Sequence, residues 1–245
     1  ITCIYSMIKK VINQNHNYDL EILNSIDYNF KFENKPINRL KNKNNDSKVP
    51  SKGKVADLQK LRQEINSIED CKLQENSNHI IFGDGNINSS LMLIGEAPGM
   101  EDQESNKTFT GPAGTLLQKM LLAINIKKEN IYTTYVINFR PPNDRKPNSN
   151  EIKRYSIFLK KHIQIINPKL LILMGSTAME ALIGSNNKIS SERGKWKEII
   201  IKNKTYDIMV TFNPSYLLRL PENKKLSWED LKKIKQKIIE LKLNI

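Results

Sequence analysis

The chain is poor in the side chains on which metal and redox chemistry is built. Its 245 residues include two cysteines, Cys3 and Cys71, and three histidines, His16, His79 and His162. Two thiols so far apart give no reason to expect a disulfide. No run of about eighteen apolar residues occurs, so no membrane span is expected. The opening ITCIYSMIKKVINQ has too short an apolar stretch, and no small-residue cleavage site, to read as a signal peptide. These absences lead us to expect a cytoplasmic protein with no membrane partner. Negative charge is also scarce: 26 acidic residues face 39 basic ones, a formal charge of +13. That balance suits a polyanion, since each neutralised phosphate releases counterions. A Lys-, Asn- and Ile-rich composition also accompanies biased nucleotide content, so charge alone favours nucleic acid only modestly.

The length allows one substantial core and an appendage. Residues 1–30 read as an N-terminal extension, within which Tyr18 to Phe30 is compatible with one short helix. Residues 31–54 are basic, rich in Asn and Lys and almost free of large apolar side chains, which reads as a linker. From Val55 onward Leu58, Leu61, Ile65 and Ile68 fall at helical spacing, and residues 55–245 are expected to form the folded domain.

Within it, four apolar or β-branched runs each end in a loop. LMLIGEAPG, from Leu91 to Gly99, takes a buried strand straight into a Gly/Pro turn. IYTTYVINFRPPNDRKP begins at Ile131, NPKLLILMGSTAMEAL at Asn167 and IMVTFNPSYLLR at Ile208. Strands separated mostly by helical segments predict a three-layer α/β/α domain around a central, mainly parallel four-stranded sheet. Ligands of such sheets bind outside the carboxyl ends of the strands. Glu96 is a carboxylate at such an end, the place for a catalytic group.

Taken in order, GEAPG, Phe109 before a Gly-x-Ala-Gly helix start, R-P-P-x-x-R-x-P at Arg140 to Pro147, R-G-x-W at Arg193 to Trp196 and P-S-Y-L-L-R at Pro214 to Arg219 form an ensemble that no single motif matches in specificity. This ensemble resembles the uracil-DNA glycosylase superfamily, and most closely its family 4, the iron–sulfur, phage-polymerase-associated type. The resemblance spans about Val55 to Lys237. It implies the glycosylase fold, DNA containing a damaged base as partner, and a chain acting as a monomer. A polymerase role finds no support, because the chain is too short and lacks a recognisable set of metal-binding carboxylates.

Family 4 also implies a four-iron cluster held by four cysteines. Their places here are taken by Ile68, Cys71, Phe139 and Tyr155. One thiol cannot ligate a cluster. The expectation is therefore no cofactor, with Phe139 and Tyr155 filling its place.

Excising a base requires that it leave the stack and depart as an anion from a sugar with oxocarbenium character. By resemblance Gly95, Glu96 and Ala97 supply backbone donors and line the pocket, with Glu96 orienting water or stabilising the sugar cation. Phe109 is the expected stacking platform, with an ordinary core Phe as the equal alternative. Two positions depart from the family. Its uracil-reading Asn falls on Tyr135, whose single hydroxyl can donate or accept but does neither as specifically as an amide. Asn138 lies three residues further along the strand, hence on the opposite face, and is a poor substitute. The family's His in the H-P-S turn falls on Asn213, which can donate a neutral hydrogen bond; the related mismatch-specific glycosylases also carry Asn-Pro-Ser there. Phosphate contacts are expected from Arg140, Arg145 and Lys146, and a phosphate pinch and apolar wedge from Ser215, Leu217, Leu218 and Arg219. One of the two leucines is expected to be core instead. Two functions follow: a glycosylase releasing uracil or a related deaminated base, or a catalytically impaired DNA-binding relative. The intact GEAPG turn and Phe109 favour the enzyme.

Overall fold

The computed structural model describes residues 51–68, 72–75, 77, 79–184 and 188–245. The expected N-terminal helix, most of the linker, and both Cys3 and Cys71 lie outside the described residues. Helix α1 (Ser51–Asn66) starts inside the stretch expected to be linker. Lys54 ties that first turn down, its Nζ donating to the carbonyls of Ile166 (2.8 Å) and Ile87 (3.3 Å). A basic side chain there serves as a tether, which composition alone does not reveal.

A one-turn helix, α2 (Lys72–Glu75), leads to strands β1 (Asp84–Gly85) and β2 (Leu91–Gly95). Helices α3 (Met100–Ser105) and α4 (Gly111–Leu122) follow, then β3 (Tyr132–Tyr135). The long helix α5 (Ser149–Ile166), β4 (Leu170–Met174), α6 (Ser176–Ile183) and α7 (Ile189–Glu192) come next. The chain closes with β5 (Trp196–Ile201), β6 (Lys204–Thr211), α8 (Pro214–Arg219) and α9 (Lys224–Glu240).

Among the described residues the sheet has six strands in the order β1-β3-β2-β4-β6-β5, where four were expected. The four expected strands are its parallel centre, with β2 paired in parallel to both β3 and β4 and β4 to β6. The two additions are antiparallel edges. β1 is only two residues long and carries no pattern. β5 is a β-branched run paired to β6 through a tight turn in which Lys202 has φ 52°; reading R-G-x-W only as a motif hid that strand.

The apolar runs are continuous because both faces of the sheet are covered. Met92, Ile94, Leu171, Leu173, Ile208 and Val210 face one core with residues of α1, α5 and α6. Leu91, Leu93, Leu170, Ile172 and Met209 face the other with Leu117 and Leu121 of α4 and Leu231 and Ile234 of α9. Alternate residues go to opposite cores, as the two-residue strand period requires. Helix α5 shows the matching helical logic. Asn148 caps it and Glu151 completes the capping box, while Ile152, Tyr155, Leu159, His162, Ile163 and Ile166 form its buried stripe. Asn167, at φ 55°, ends it immediately before Pro168.

Connections from β2 run first to β3 on one side and then across to β4 on the other. The strand order therefore reverses between β2 and β4, which opens the crevice where open α/β sheets bind ligands.

Candidate active site

Glu96 follows β2 directly, and α6 follows β4 after Gly175, so both stand at this crevice. Thr177, the second residue of α6, donates its Oγ1 to Glu96 Oε2 at 2.6 Å. A carboxylate at a helix N-terminus is favoured by the exposed N–H groups there. Glu96 is half-buried, and Thr177 fixes one of its carboxylate oxygens, the side chain's one hydrogen-bond partner among the described residues. The carbonyls of Gly95 and Glu96 accept from Val136 N (3.0 Å) and Ile137 N (3.1 Å), which holds the GEAPG turn against the continuation of β3. Ala97 packs against the core on the α5 side.

Asn213 closes the neighbouring end of β6. Its Oδ1 accepts from Ser215 N at 3.0 Å and caps α8, leaving Nδ2 as the donor. Gly175 (φ 100°) makes room for it, because a Cβ there would lie 3.2 Å from Asn213 Cβ. Glu96 and Asn213 thus flank the start of α6. Lys146 joins them through its Nζ, 3.0 Å from Ser176 Oγ.

On the other side of Glu96, Gly95 lies beneath two aromatic rings. A Cβ at Gly95 would stand 2.6 Å from Phe109 Cζ and 2.7 Å from Tyr135 Cδ1, so only glycine fits. Phe109 and Tyr135 pack against each other with centroids 4.8 Å apart and planes tilted by 38°, and both are buried. The Tyr135 hydroxyl accepts from Phe109 N (2.7 Å) and donates to Asp102 Oδ2 (2.8 Å). Burial, reinforced by the Asp102 charge, pushes its pKa well above the ordinary tyrosine value, so the proton stays on the donor. Tyr135 was expected to present its hydroxyl to a base; here both hydrogen-bonding directions are occupied within the protein. Asn138, three residues beyond the end of β3, is buried with Nδ2 donating to Ile81 O (3.1 Å) and Phe82 O (3.3 Å), so its amide is taken up within the protein.

Phe109 itself sits in the left-handed region at φ 51°, a strained conformation for an aromatic residue. It is held there from two directions. Tyr135 takes its N–H, and Lys128 Nζ donates to the carbonyls of Thr108 (2.5 Å) and Phe109 (3.1 Å). Burial keeps the pKa of Lys128 below its usual value, partly offset by Asp84.

Asp102 is the hub that sequence reading missed. It receives Gly99 N (2.9 Å) and Tyr135 Oη (2.8 Å) on Oδ2, and Thr110 N and Thr110 Oγ1, both at 2.7 Å, on Oδ1. The one available signal was its place three residues after the Gly99 cap, the acidic position of a capping box. A second missed group is Asp230 of α9, buried beside Thr211 Oγ1 (2.8 Å) and Arg193, which it holds bidentately. This pair explains the R-G-x-W motif. Arg193 fastens α9 to the end of β6, and Gly194 (φ 68°) leaves space for the Asp230 carboxylate.

The expected DNA contacts divide. Arg140 is bound by Asp144 through Nε (2.7 Å) and Nη2 (2.8 Å), and Arg145 by Glu151 at 2.9 and 2.6 Å. Each bond raises the arginine pKa and lowers that of the carboxylate. The basic loop is therefore largely neutralised by its own acids, and Lys146 is its cation without a carboxylate partner among the described residues. Leu217 is fully buried where α8 packs on α4, which corrects its assignment to the DNA wedge; Leu218 is 41% exposed. Ser215 and Arg219 are exposed beside it.

At the positions that the family resemblance gives to cluster ligands, Phe139 and Tyr155 meet edge to face with centroids 6.4 Å apart, both buried. Ile68 packs against the same core. Among the described residues no group of three or more His, Cys, Asp or Glu side chains can hold a metal ion. Carbon surfaces do not fit an iron–sulfur cluster, whose irons need thiolate donors.

A mostly parallel α/β sheet with a carboxylate, an amide and a buried aromatic pair at its strand-order switch is an α/β domain with a candidate ligand site at the carboxyl ends of its strands. The chain belongs to the uracil DNA glycosylase superfamily, whose family model matches residues 82–232. It is 34% identical over 168 residues to the type-4 uracil-DNA glycosylase of Thermotoga maritima, covering 67% of this chain and 86% of that protein. The type-4 uracil-DNA glycosylase of Sulfurisphaera tokodaii is 33% identical over 187 residues, 73% of this chain and 84% of that protein. That of Pyrobaculum aerophilum is 31% identical over 169 residues, 67% and 86% respectively. No described helix is long and apolar enough to cross a membrane.

Proposed function

We propose that this protein is a DNA repair glycosylase that hydrolyses the N-glycosidic bond of uracil or a related deaminated base in DNA. The observation that carries this reading is Glu96, fixed by Thr177 at the switch point of the sheet and faced across the start of α6 by Asn213. In such a reaction the base departs as an anion and water adds to the sugar carbon. The free oxygen of Glu96 orients that water or stabilises the positive sugar, and Asn213 Nδ2 donates to the departing base. Neither role requires a side chain that the chain lacks.

The cluster of family 4 has no part in this mechanism. With Ile68, Phe139 and Tyr155 at three of its four ligand places, the chain carries no iron–sulfur cofactor. Its partner is DNA with a damaged base, reached through Lys146, Ser215, Leu218 and Arg219, with Arg140 and Arg145 shaping the loop between them. It acts as a monomer in the cytoplasm.

The test is a panel of oligonucleotides, each carrying one deaminated or mismatched base, incubated with the protein and cleaved at abasic sites. Uracil release that falls at least about a hundredfold in Glu96→Gln, with DNA affinity unchanged, supports the reading. Equal release by wild type and Glu96→Gln, or none from any base, refutes it. One observation favours the second reading, a DNA-binding relative without catalysis: the platform and hydrogen-bonding groups of Phe109 and Tyr135 are turned toward each other.

A further inference from the structure

The rings at Gly95 pose a steric problem for any base. A base stacking on Phe109 needs an open ring face, yet Phe109 is only 6% exposed and the Tyr135 ring, tilted 38° to it, packs against it with centroids 4.8 Å apart. A base positioned by the backbone there needs a free donor, yet Phe109 N already donates to Tyr135 Oη. Gly95 does not leave a gap beneath, since even a single Cβ there would lie 2.6 Å from Phe109 Cζ and 2.7 Å from Tyr135 Cδ1. Tyr135 therefore holds the stacking face and the backbone N–H at once. Those are two of the interactions by which a flipped base is gripped.

Taking the glycosylase reading as its basis, we propose that Tyr135 is the access- and specificity-determining residue of this site: its side chain occupies the base slot beside Phe109 and Gly95, Asp102 is the latch that keeps it there, and a base enters only by exchange with it. The latch is built rather than incidental. Asp102 Oδ2 takes the Tyr135 hydroxyl at 2.8 Å, while its other oxygen is anchored by both Thr110 groups. Thr110 is the residue after Phe109, so one carboxylate fixes both the plug and the strained backbone of the platform. An incoming base must match the ring's stacking and offer an acceptor to Phe109 N. A hydrophobic moiety without an acceptor leaves that buried N–H unpaired and is rejected. The exchange also separates this site from an ordinary core. A purely structural tyrosine stabilises the fold, whereas a plug lowers ligand affinity by occupying the slot.

The experiment uses the full chain and two variants, Tyr135→Ala, which empties the slot, and Tyr135→Phe, which keeps the ring but loses the latch. Free uracil binding is measured by titration calorimetry, and single-turnover base release on a uracil-containing oligonucleotide. The expected result is uracil binding at least about tenfold tighter in Tyr135→Ala than in wild type, the order of change that removing one net hydrogen bond and a stacked ring from competition gives. Tyr135→Phe shows a smaller gain, and release accelerates in the same order. Folded Tyr135→Ala and Tyr135→Phe proteins with no gain in either measurement overturn the proposal, and Tyr135→Phe decides alone if Tyr135→Ala does not fold. Tighter uracil binding without excision by any variant upholds the plug and removes the glycosylase reading. Wild-type excision that Glu96→Gln abolishes and the Tyr135 variants leave unimproved does the reverse.

Discussion

Asp102 offers the sharpest physical test of the site's construction, through Asp102→Asn. The substitution keeps shape and removes one acceptor oxygen. With the amide oxygen retained toward Thr110 N and Oγ1, the new NH₂ faces Gly99 N and Tyr135 Oη, both of which now donate to Oδ2 at 2.9 and 2.8 Å. The tyrosine hydroxyl, already accepting from Phe109 N, can accept a second bond from the amide, but its own proton then loses the acceptor it has on Asp102. The Gly99 N–H cannot turn, and it is left opposite another donor. One stranded backbone N–H costs about 1–3 kcal/mol, and loss of charge assistance in the remaining bonds adds roughly 1 kcal/mol. A total of about 2–4 kcal/mol corresponds to a drop in Tm of roughly 5–12 °C for a domain of this size. Differential scanning calorimetry checks it. An Asp102→Asn protein melting within about 1 °C of wild type would refute the four-donor account. Asp102→Ala is expected to be worse, because Thr110 then loses its acceptor as well.

Three further outcomes follow from the same geometry. His162 is enclosed between Phe82, stacked at 4.3 Å, and the Tyr132 hydroxyl at 2.9 Å, and burial pushes its pKa down to about 3. The unfolded chain takes up that proton near pH 6.5, so stability rises with pH between about 3 and 6.5 and is lost on acidification; at pH 4 the loss is on the order of 3 kcal/mol, and urea titrations of His162→Gln should show a flatter acid limb. Lys146→Ala should lower the salt slope of DNA binding by about one unit while Arg140→Ala and Arg145→Ala change it by less, because their guanidiniums are already neutralised; equal slopes for all three variants would contradict this. Anaerobically purified protein should be colourless and free of stoichiometric iron and labile sulfide, and iron at about four per chain by elemental analysis would show that the ligands lie elsewhere.

The parallel centre of the fold was legible because burial on both faces leaves a plain signature: Leu91 to Ile94 and Leu170 to Met174 are unbroken apolar runs. The edges were not, because β1 is too short for any period and β5 reads as a motif first. Glu96 and Asn213 were found through turns that follow strands, a local pattern, and Phe109 through the family motif ensemble. Asp102, Thr177 and Asp230 were missed because each acts on a residue far along the chain: Asp102 on Tyr135, Thr177 on Glu96, Asp230 on Arg193. Pairings across such separations are set by the sheet order. The basic loop misled for the same reason in reverse. Arg140 and Arg145 look available in sequence, while Asp144 and Glu151, a turn or so away, close on them in space. Leu217 and Leu218 differ only in which side of one helical turn they occupy.

The two departures from the family pattern are physically unlike, and on the proposed function they limit it in different ways. Asn213 preserves direction: its Oδ1 caps α8, its Nδ2 remains a donor beside Gly175, and what is lost relative to a histidine is the strength of the donated bond. Charge-assisted bonds are roughly twice as strong as neutral ones, so under the proposed glycosylase reaction that loss would slow departure of the base without closing the site. Tyr135 changes volume. A ring stands where an amide would leave room for a base, and its hydroxyl takes the Phe109 N–H. A weak donor acts on every base that arrives, whereas a filled slot acts before any base arrives. Strengthening the donor at position 213 therefore has little to act on while Tyr135 remains latched to Asp102, and the order in which the two positions limit the reaction is set by space before it is set by charge.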